Sequence, residues 1–199
     1  MCNLYKLSQS ADEVAQLFNP QSVASGNAGE EVYPGYPGLV FDGEALRTMT
    51  WGFPLALRGK SGQMLKPKPV NNTRTDKLDS GFWRASFRDR RCLIPLTAFA
   101  EAEGPKGNKT RTWFSIPDQP IFTAAGIWRD SAEWGAVYSM VMTDAAKAVE
   151  GVHDRSPVLL EPRNWDRWLT GSQAEALTLC TPYPGAMSVD RTSEPWVRR

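Results

Sequence analysis

Residues 38–51 read GLVFDGEALRTMTW, and this stretch decides the fold class. Two runs of alternating apolar and polar side chains flank Asp42-Gly43, a dipeptide whose glycine tolerates the backbone of a tight hairpin turn. A β-hairpin is therefore expected, and with it an antiparallel sheet. Downstream, CLIPLTAFAEA, RTWFSIP, IFTAAGIWR and AVYSMVMT are short, rich in β-branched and aromatic residues, and separated mainly by loops. Helical signals lie at the ends of these runs. Ser10 and Glu13 form a capping box ahead of Val14, Leu17 and Phe18, and Asn19-Pro20 stops that helix. FWRASFRDR carries Phe82, Trp83 and Phe87 at helical spacing. TDAAKAVE and PRNWDRWLTG read as helices, the second closed by Gly171. The expectation is an α+β fold: a single domain over residues 1–199, built on a mostly antiparallel, barrel-like β-sheet with a few peripheral helices.

Two stretches read as loops. Residues 21–37 are rich in Gly, Pro, Ser and Asn. RGKSGQMLKPKPVNNTR, from Arg58 to Arg74, is polar, basic and aperiodic, and is expected to be extended and the most mobile surface.

Composition excludes several classes. With 199 residues and 41% hydrophobic content the chain can bury a sizeable core. Lys+Arg 23 against Asp+Glu 22 leaves a formal charge of +1, so a polyanion must be met by a local patch. The three cysteines, Cys2, Cys92 and Cys180, have no metal-ligand spacing, and a single histidine rules out a His-rich metal centre. No apolar signal region or span of about 18 residues is present, so a soluble, reducing, cytosolic setting is expected, without metal or cofactor.

Four stretches carry chemistry. A cysteine directly after Met1 can be an accident of a frayed end. If Met1 is removed, Cys2 bears both an α-amine, of reference pKa about 7.7–8.0, and a thiol of about 8.5. An amine attacks an aldehyde to give an imine, and a thiolate on the neighbouring carbon closes that imine to a thiazolidine. The same pair is the nucleophile of self-processing amidohydrolases. In VNNTRTD, Asn72 and Arg74 alternate and would face one ligand on an extended segment, an amide and a planar fork suited to a sugar-phosphate; a polar turn reads equally well. Glu101 in AFAEA is a carboxylate in apolar company, whose pKa should rise toward that of a general acid or base unless it reaches water at a strand edge. GVHDRSP holds His153 with Asp154 and Arg155; on a strand His153 and Arg155 share a face, a proton shuttle beside a phosphate clamp.

Taken together, Cys2 after the initiator Met, WGF at Trp51, NTR at Asn72, RRCLIP followed by Glu101, AAGIW, MTDAA at Thr143 and HDRSP at His153 resemble the SOS-response-associated peptidase (SRAP) family over nearly the whole chain. The resemblance implies an abasic-site sensor acting on single-stranded DNA. Met1 is removed and Cys2 forms a thiazolidine with the open-chain aldehyde, a crosslink that shields the lesion. It further implies that Asn72 holds the sugar or the cysteine amine, Glu101 assists proton transfer, and His153 acts on the ring-opened sugar. Arg74, Arg155, Asn72 and Thr143 contact DNA, and Trp51 either supports the site or belongs to the core. The protein would be a monomer, cytoplasmic, and nucleoid-associated when bound to DNA. The family commonly reads MCGR, whereas Asn3 and Leu4 stand here; Ala98, Ala100, Ala102 and Ser156 are further departures. A weaker or redistributed grip on DNA and a wider, less apolar pocket around Glu101 are expected, with Arg58, Lys60, Lys66 and Lys68 as a source of replacement charge. Two other readings stay open: a cysteine peptidase acting on itself or in trans, and a non-covalent single-strand-binding module.

Overall fold

The computed structural model describes residues 2–23 and 28–197. Asp42-Gly43 forms the expected turn. The Asp42 carboxylate accepts the backbone N–H groups of Glu44 and Ala45 at 3.0 and 2.8 Å, and Gly43 takes φ 105°, which disfavours a side chain. The flanking strands, Pro37–Phe41 and Ala45–Trp51, pair antiparallel with Phe41 opposite Leu46.

That hairpin is part of a closed ring. Strand Gly135–Asp144 pairs antiparallel with Phe122–Ser131, which pairs with Arg91–Leu96, which meets Pro37–Phe41. Ala45–Trp51 then returns to Gly135–Asp144 through a parallel contact, Tyr138 opposite Trp51. The result is a mostly antiparallel barrel with short helices outside it, the expected α+β class. Against it lies a second sheet in the order Ser188–Pro195, Thr110–Ser115, Ala98–Glu103, Tyr5–Lys6, Glu31–Val32. Opposite faces of the barrel strands feed two cores. One packs Trp51, Cys92, Ile94 and Met140 against Tyr5, Phe99 and Phe114 of the second sheet, and includes Cys2. The other packs Leu46, Leu93, Ile127 and Val141 against Val14, Phe87 and Trp168 of the helices.

The N-terminal segment is held rather than frayed. Leu4, Tyr5 and Leu7 are buried, and the Ala100 N–H donates to the Leu4 carbonyl. Burial of such side chains contributes roughly 1.5–3 kcal/mol each, enough to offset a backbone-ordering cost of about 1–2 kcal/mol per residue.

Three local expectations change. The stretch from 21 to 37 contains the short strands Ser22–Val23 and Glu31–Val32, while residues 24–27 of it lie outside the described residues. The basic stretch is not a loop. Met64–Val70 pairs antiparallel with Phe53–Arg58 as a two-stranded ribbon, and Asn72–Arg74 joins the barrel. TDAAKAVE is not a helix. The strand runs on to Asp144, after which Ser156 Oγ accepts the Ala146 N–H and the Asp154 carbonyl accepts that of Ala145, folding the chain into consecutive turns. Helix Gln173–Thr178 and strand Ser188–Pro195 were not anticipated.

Candidate active site

One edge of strand Gly135–Asp144 positions the site. Its first half pairs with Ala45–Trp51, and the chain leaves it at Gly52, whose N–H donates to the Tyr138 carbonyl at 2.7 Å. The ribbon runs out and back, and the chain rejoins the same edge where the Asn71 carbonyl accepts the Met140 N–H at 2.9 Å. Asn72 then lies opposite Met140 and Arg74 opposite Met142, in parallel. Trp51 both fills the core and serves the site, since its buried indole N–H donates to the Asn71 carbonyl at 2.9 Å.

These asparagines hold the N-terminus. Asn72 Nδ2 donates to the Cys2 carbonyl oxygen at 2.7 Å and Asn71 Nδ2 donates to the same oxygen at 2.9 Å. Asn71 also reaches Asn3 Oδ1 at 3.0 Å. The other end of the Asn72 amide, Oδ1, is buried and has no hydrogen-bond partner among the described residues. A buried acceptor in that condition costs about 1–3 kcal/mol, so it is a place where a donor would be welcome.

Cys2 is fully buried, its thiol donating to the Leu4 carbonyl at 3.4 Å. Burial pushes the thiol well above its ordinary pKa, and the nearby Glu101 carboxylate adds to the rise. In this state the thiol is held protonated. Glu101 comes from strand Ala98–Glu103, opposite Thr112, with 2% of its surface exposed. Its carboxyl is raised to about 7, chiefly because burial disfavours the charge.

His153 sits at the end of the turns that replace the expected helix. The Arg155 N–H lies 2.9 Å from His153 Nδ1, and Asp154 Oδ1 lies 2.8 Å from the same nitrogen. Burial lowers its pKa as the larger effect, against the opposing pull of Asp154. The Asp154 charge is felt by Glu101 as well, so the two acid-base groups share an electrostatic neighbourhood.

The remaining anticipated residues are engaged with protein groups. Arg74 forms a fork to Asp76, Nε to Oδ1 at 2.9 Å and Nη2 to Oδ2 at 3.0 Å. Arg155 Nη1 lies 3.2 Å from Asp144 Oδ1. Thr143 is buried and its hydroxyl donates to the Cys180 carbonyl at 3.2 Å. Leu4 is packed with Ala100 and Trp113, a site with no room for a hydrated cation. The other two thiols are raised by burial as Cys2 is, Cys92 well above its usual value and Cys180 up to about 12. Among the described residues no group of three or more His, Cys, Asp or Glu side chains could hold a metal ion, and no helix is long and apolar enough to cross a membrane.

The family model for SRAP, SOS response associated peptidase, matches residues 1–195. The chain belongs to the SRAP family. Among its relatives, the abasic site processing protein YMR114C of Saccharomyces cerevisiae is 26% identical over 151 residues, covering 71% of this chain and 40% of the yeast protein. The abasic site processing protein YobE of Bacillus subtilis (strain 168) is 26% identical over 188 residues, 85% of this chain and 82% of the other. The present chain thus spans less than half the length of the yeast relative and most of the bacterial one. A crystal structure of a Bordetella bronchiseptica protein superposes with a TM-score of 0.80 at 20% identity, over 96% of this chain and 99% of that one. One from Bacteroides thetaiotaomicron gives 0.78 at 21%, over 96% and 91%. At such identities the structural likeness shows the fold.

Within this SRAP chain, sequence reasoning missed two residues that bear on the site. Asn71 was passed over for its neighbour Asn72, although the NN doublet was the visible signal. Lys109, whose positive charge bears on both Glu101 and His153, gives no signal in the sequence; it directly precedes strand Thr110–Ser115, which pairs with the strand that carries Glu101.

Proposed function

We propose that this SRAP protein processes abasic sites in DNA by covalent capture through Cys2. The observation that carries the reading is the clamp on Cys2: two amides fix its carbonyl, the empty acceptor Asn72 Oδ1 lies in the same amide group, and a carboxyl poised near neutrality stands beside its thiol. The names of the yeast and Bacillus relatives supply the substrate class.

Met1 must leave first. In a self-processing route Glu101 takes the proton of the Cys2 thiol as its sulfur attacks the Met1 carbonyl carbon, the peptide bond breaks, and Glu101 returns that proton to the departing α-amine of Cys2. Water then hydrolyses the thioester, releasing methionine and regenerating the thiol. The freed amine is the donor that Asn72 Oδ1 lacks. It attacks the aldehyde of the ring-opened sugar; the C–N bond forms, Glu101 passes a proton to the departing hydroxyl, and one water is lost. The thiol sulfur adds to the imine carbon, its proton moves to nitrogen, and the thiazolidine closes. His153 serves the ring-opened sugar oxygen, and Arg74 and Arg155 turn from Asp76 and Asp144 toward flanking phosphates. A single-stranded substrate fits a nucleophile that starts so deeply buried, because the reacting sugar must enter the fold, and a strand without a partner does so with less unstacking.

Cys2→Ser tests the reading. It is expected to abolish the heat-stable adduct with an abasic oligonucleotide while leaving weak, salt-sensitive binding. A heat-stable adduct in that variant would remove Cys2 from its role.

A further inference from the structure

The two arginines given to phosphate both start in ion pairs, and the formal charge of the whole chain is only +1. One surface stands apart. Between Phe53 and Val70 the chain carries Arg58, Lys60, Lys66 and Lys68 and no acidic residue. All four are exposed, and none forms an ion pair among the described residues.

The ribbon's register places them. Arg58 lies directly opposite Met64 and Lys68 opposite Leu55, and a register shift between Leu55 and Leu57 breaks the alternation between these pairs, so the cations are spread over both faces of the ribbon. Lys60 is at the tip. Leu55, opposite Lys68, and Met64 stand exposed among the cations, giving apolar contact between charges. Pro54 is paired with Pro69, and Pro67 interrupts the same strand, so the outer edge lacks several N–H groups and cannot readily accept another strand. Strand addition by a protein partner is thereby disfavoured, whereas binding through side chains to a polyanion is not. The ribbon is also rooted at the site, because its last residue, Val70, precedes the two asparagines that hold Cys2. Its six-residue strand Phe53–Arg58 reaches about 20 Å from that root.

We propose that the Phe53–Val70 ribbon is a second DNA contact, gripping backbone phosphates of the strand that flanks the captured nucleotide. The inference rests on the abasic-site reading for its ligand.

The test is the salt dependence of binding to a single-stranded oligonucleotide carrying a central tetrahydrofuran lesion, which has no aldehyde and cannot crosslink. At about −0.7 per phosphate contact, Arg74 and Arg155 alone give a log-log slope of about −1.4, and four ribbon contacts bring it to about −4.2. Between 50 and 200 mM salt the wild type is then expected to lose about 300-fold in affinity, and a variant with Arg58, Lys60, Lys66 and Lys68 all changed to Gln about 7-fold. Lys66→Gln with Lys68→Gln alone is expected to shift the slope by about 1.4, and thermal melting checks that both variants fold. At saturating concentrations of an oligonucleotide with a true abasic site, the fourfold variant still forms the adduct. A slope that neither variant changes overturns the inference, whatever the adduct yield. A ribbon-dependent slope with no adduct from wild type supports the ribbon and overturns the capture reading instead.

Discussion

Asn71 and Asn72, neighbours in sequence, donate their side-chain amides to one atom, the carbonyl oxygen of Cys2. Successive side chains of a strand point to opposite faces. Convergence is possible here because Asn71 precedes the strand Asn72–Arg74, at the place where the ribbon returns to the barrel. Cys2 is thereby fixed to the interior of the fold by a segment far from it in sequence.

Removing the two amides should have unequal effects. Each loss strands part of a buried carbonyl's bonding at about 1–3 kcal/mol. Only Asn72 also offers the open acceptor for the Cys2 amine. Asn72→Ala is therefore expected to slow adduct formation by roughly 10- to 100-fold, and Asn71→Ala by less, at a comparable loss of melting temperature. Single-turnover rates on an abasic oligonucleotide measure both; equal rates in the two variants would contradict the assignment.

Glu101 should make stability fall as pH rises. Its carboxyl is raised from 4.5 to about 7 by burial. Below about pH 4.5 folded and unfolded states both hold the proton and no penalty exists. Between 4.5 and 7 the unfolded carboxyl ionises while the folded one keeps its proton, so the folded state binds more protons and is progressively destabilised, by an amount on the order of 3 kcal/mol above pH 7. Glu101→Gln is expected to lack this fall in urea titrations from pH 4.5 to 8. Parallel pH dependences in the two proteins would show that Glu101 does not titrate there. The same substitution is expected to remove an inflection near pH 7 from the adduct-formation rate.

Gly38 is required by a close approach. Tyr5 and Tyr138 share a buried hydroxyl hydrogen bond of 2.5 Å, and a Cβ on Gly38 would overlap both oxygens. Gly38→Ala is expected to destabilise the fold by about 1–3 kcal/mol, and adding Tyr138→Phe to restore part of it. Denaturant midpoints decide: an unchanged midpoint for Gly38→Ala would mean the hydroxyl pair separates freely.

Much of this was legible from local chemistry. The Asp42-Gly43 turn and the Ser10–Glu13 capping box involve groups within a few residues of one another, and both form as read. TDAAKAVE has good helix formers throughout, yet Ser156 and Asp154, ten residues away or nearly so, hold Ala146 and Ala145 in turns. Tertiary hydrogen bonds there override propensity. The ribbon failed for the opposite reason: lysines and prolines mask a strand whose pairing is decided by its partner, Phe53–Arg58. At the site, the types of Cys2, Asn72, Glu101 and His153 pointed to chemistry. Their burial, the second amide from Asn71 and the acidic partners of Arg74 and Arg155 depend on contacts that no spacing reveals.

The most direct measurement is the intact mass of the protein after incubation with a single-stranded oligonucleotide carrying one abasic site, beside an undamaged strand. The expected species has the mass of the protein without Met1 plus the DNA minus one water, and it forms only with the lesion. Protein already lacking Met1 that yields no adduct would contradict covalent capture through Cys2.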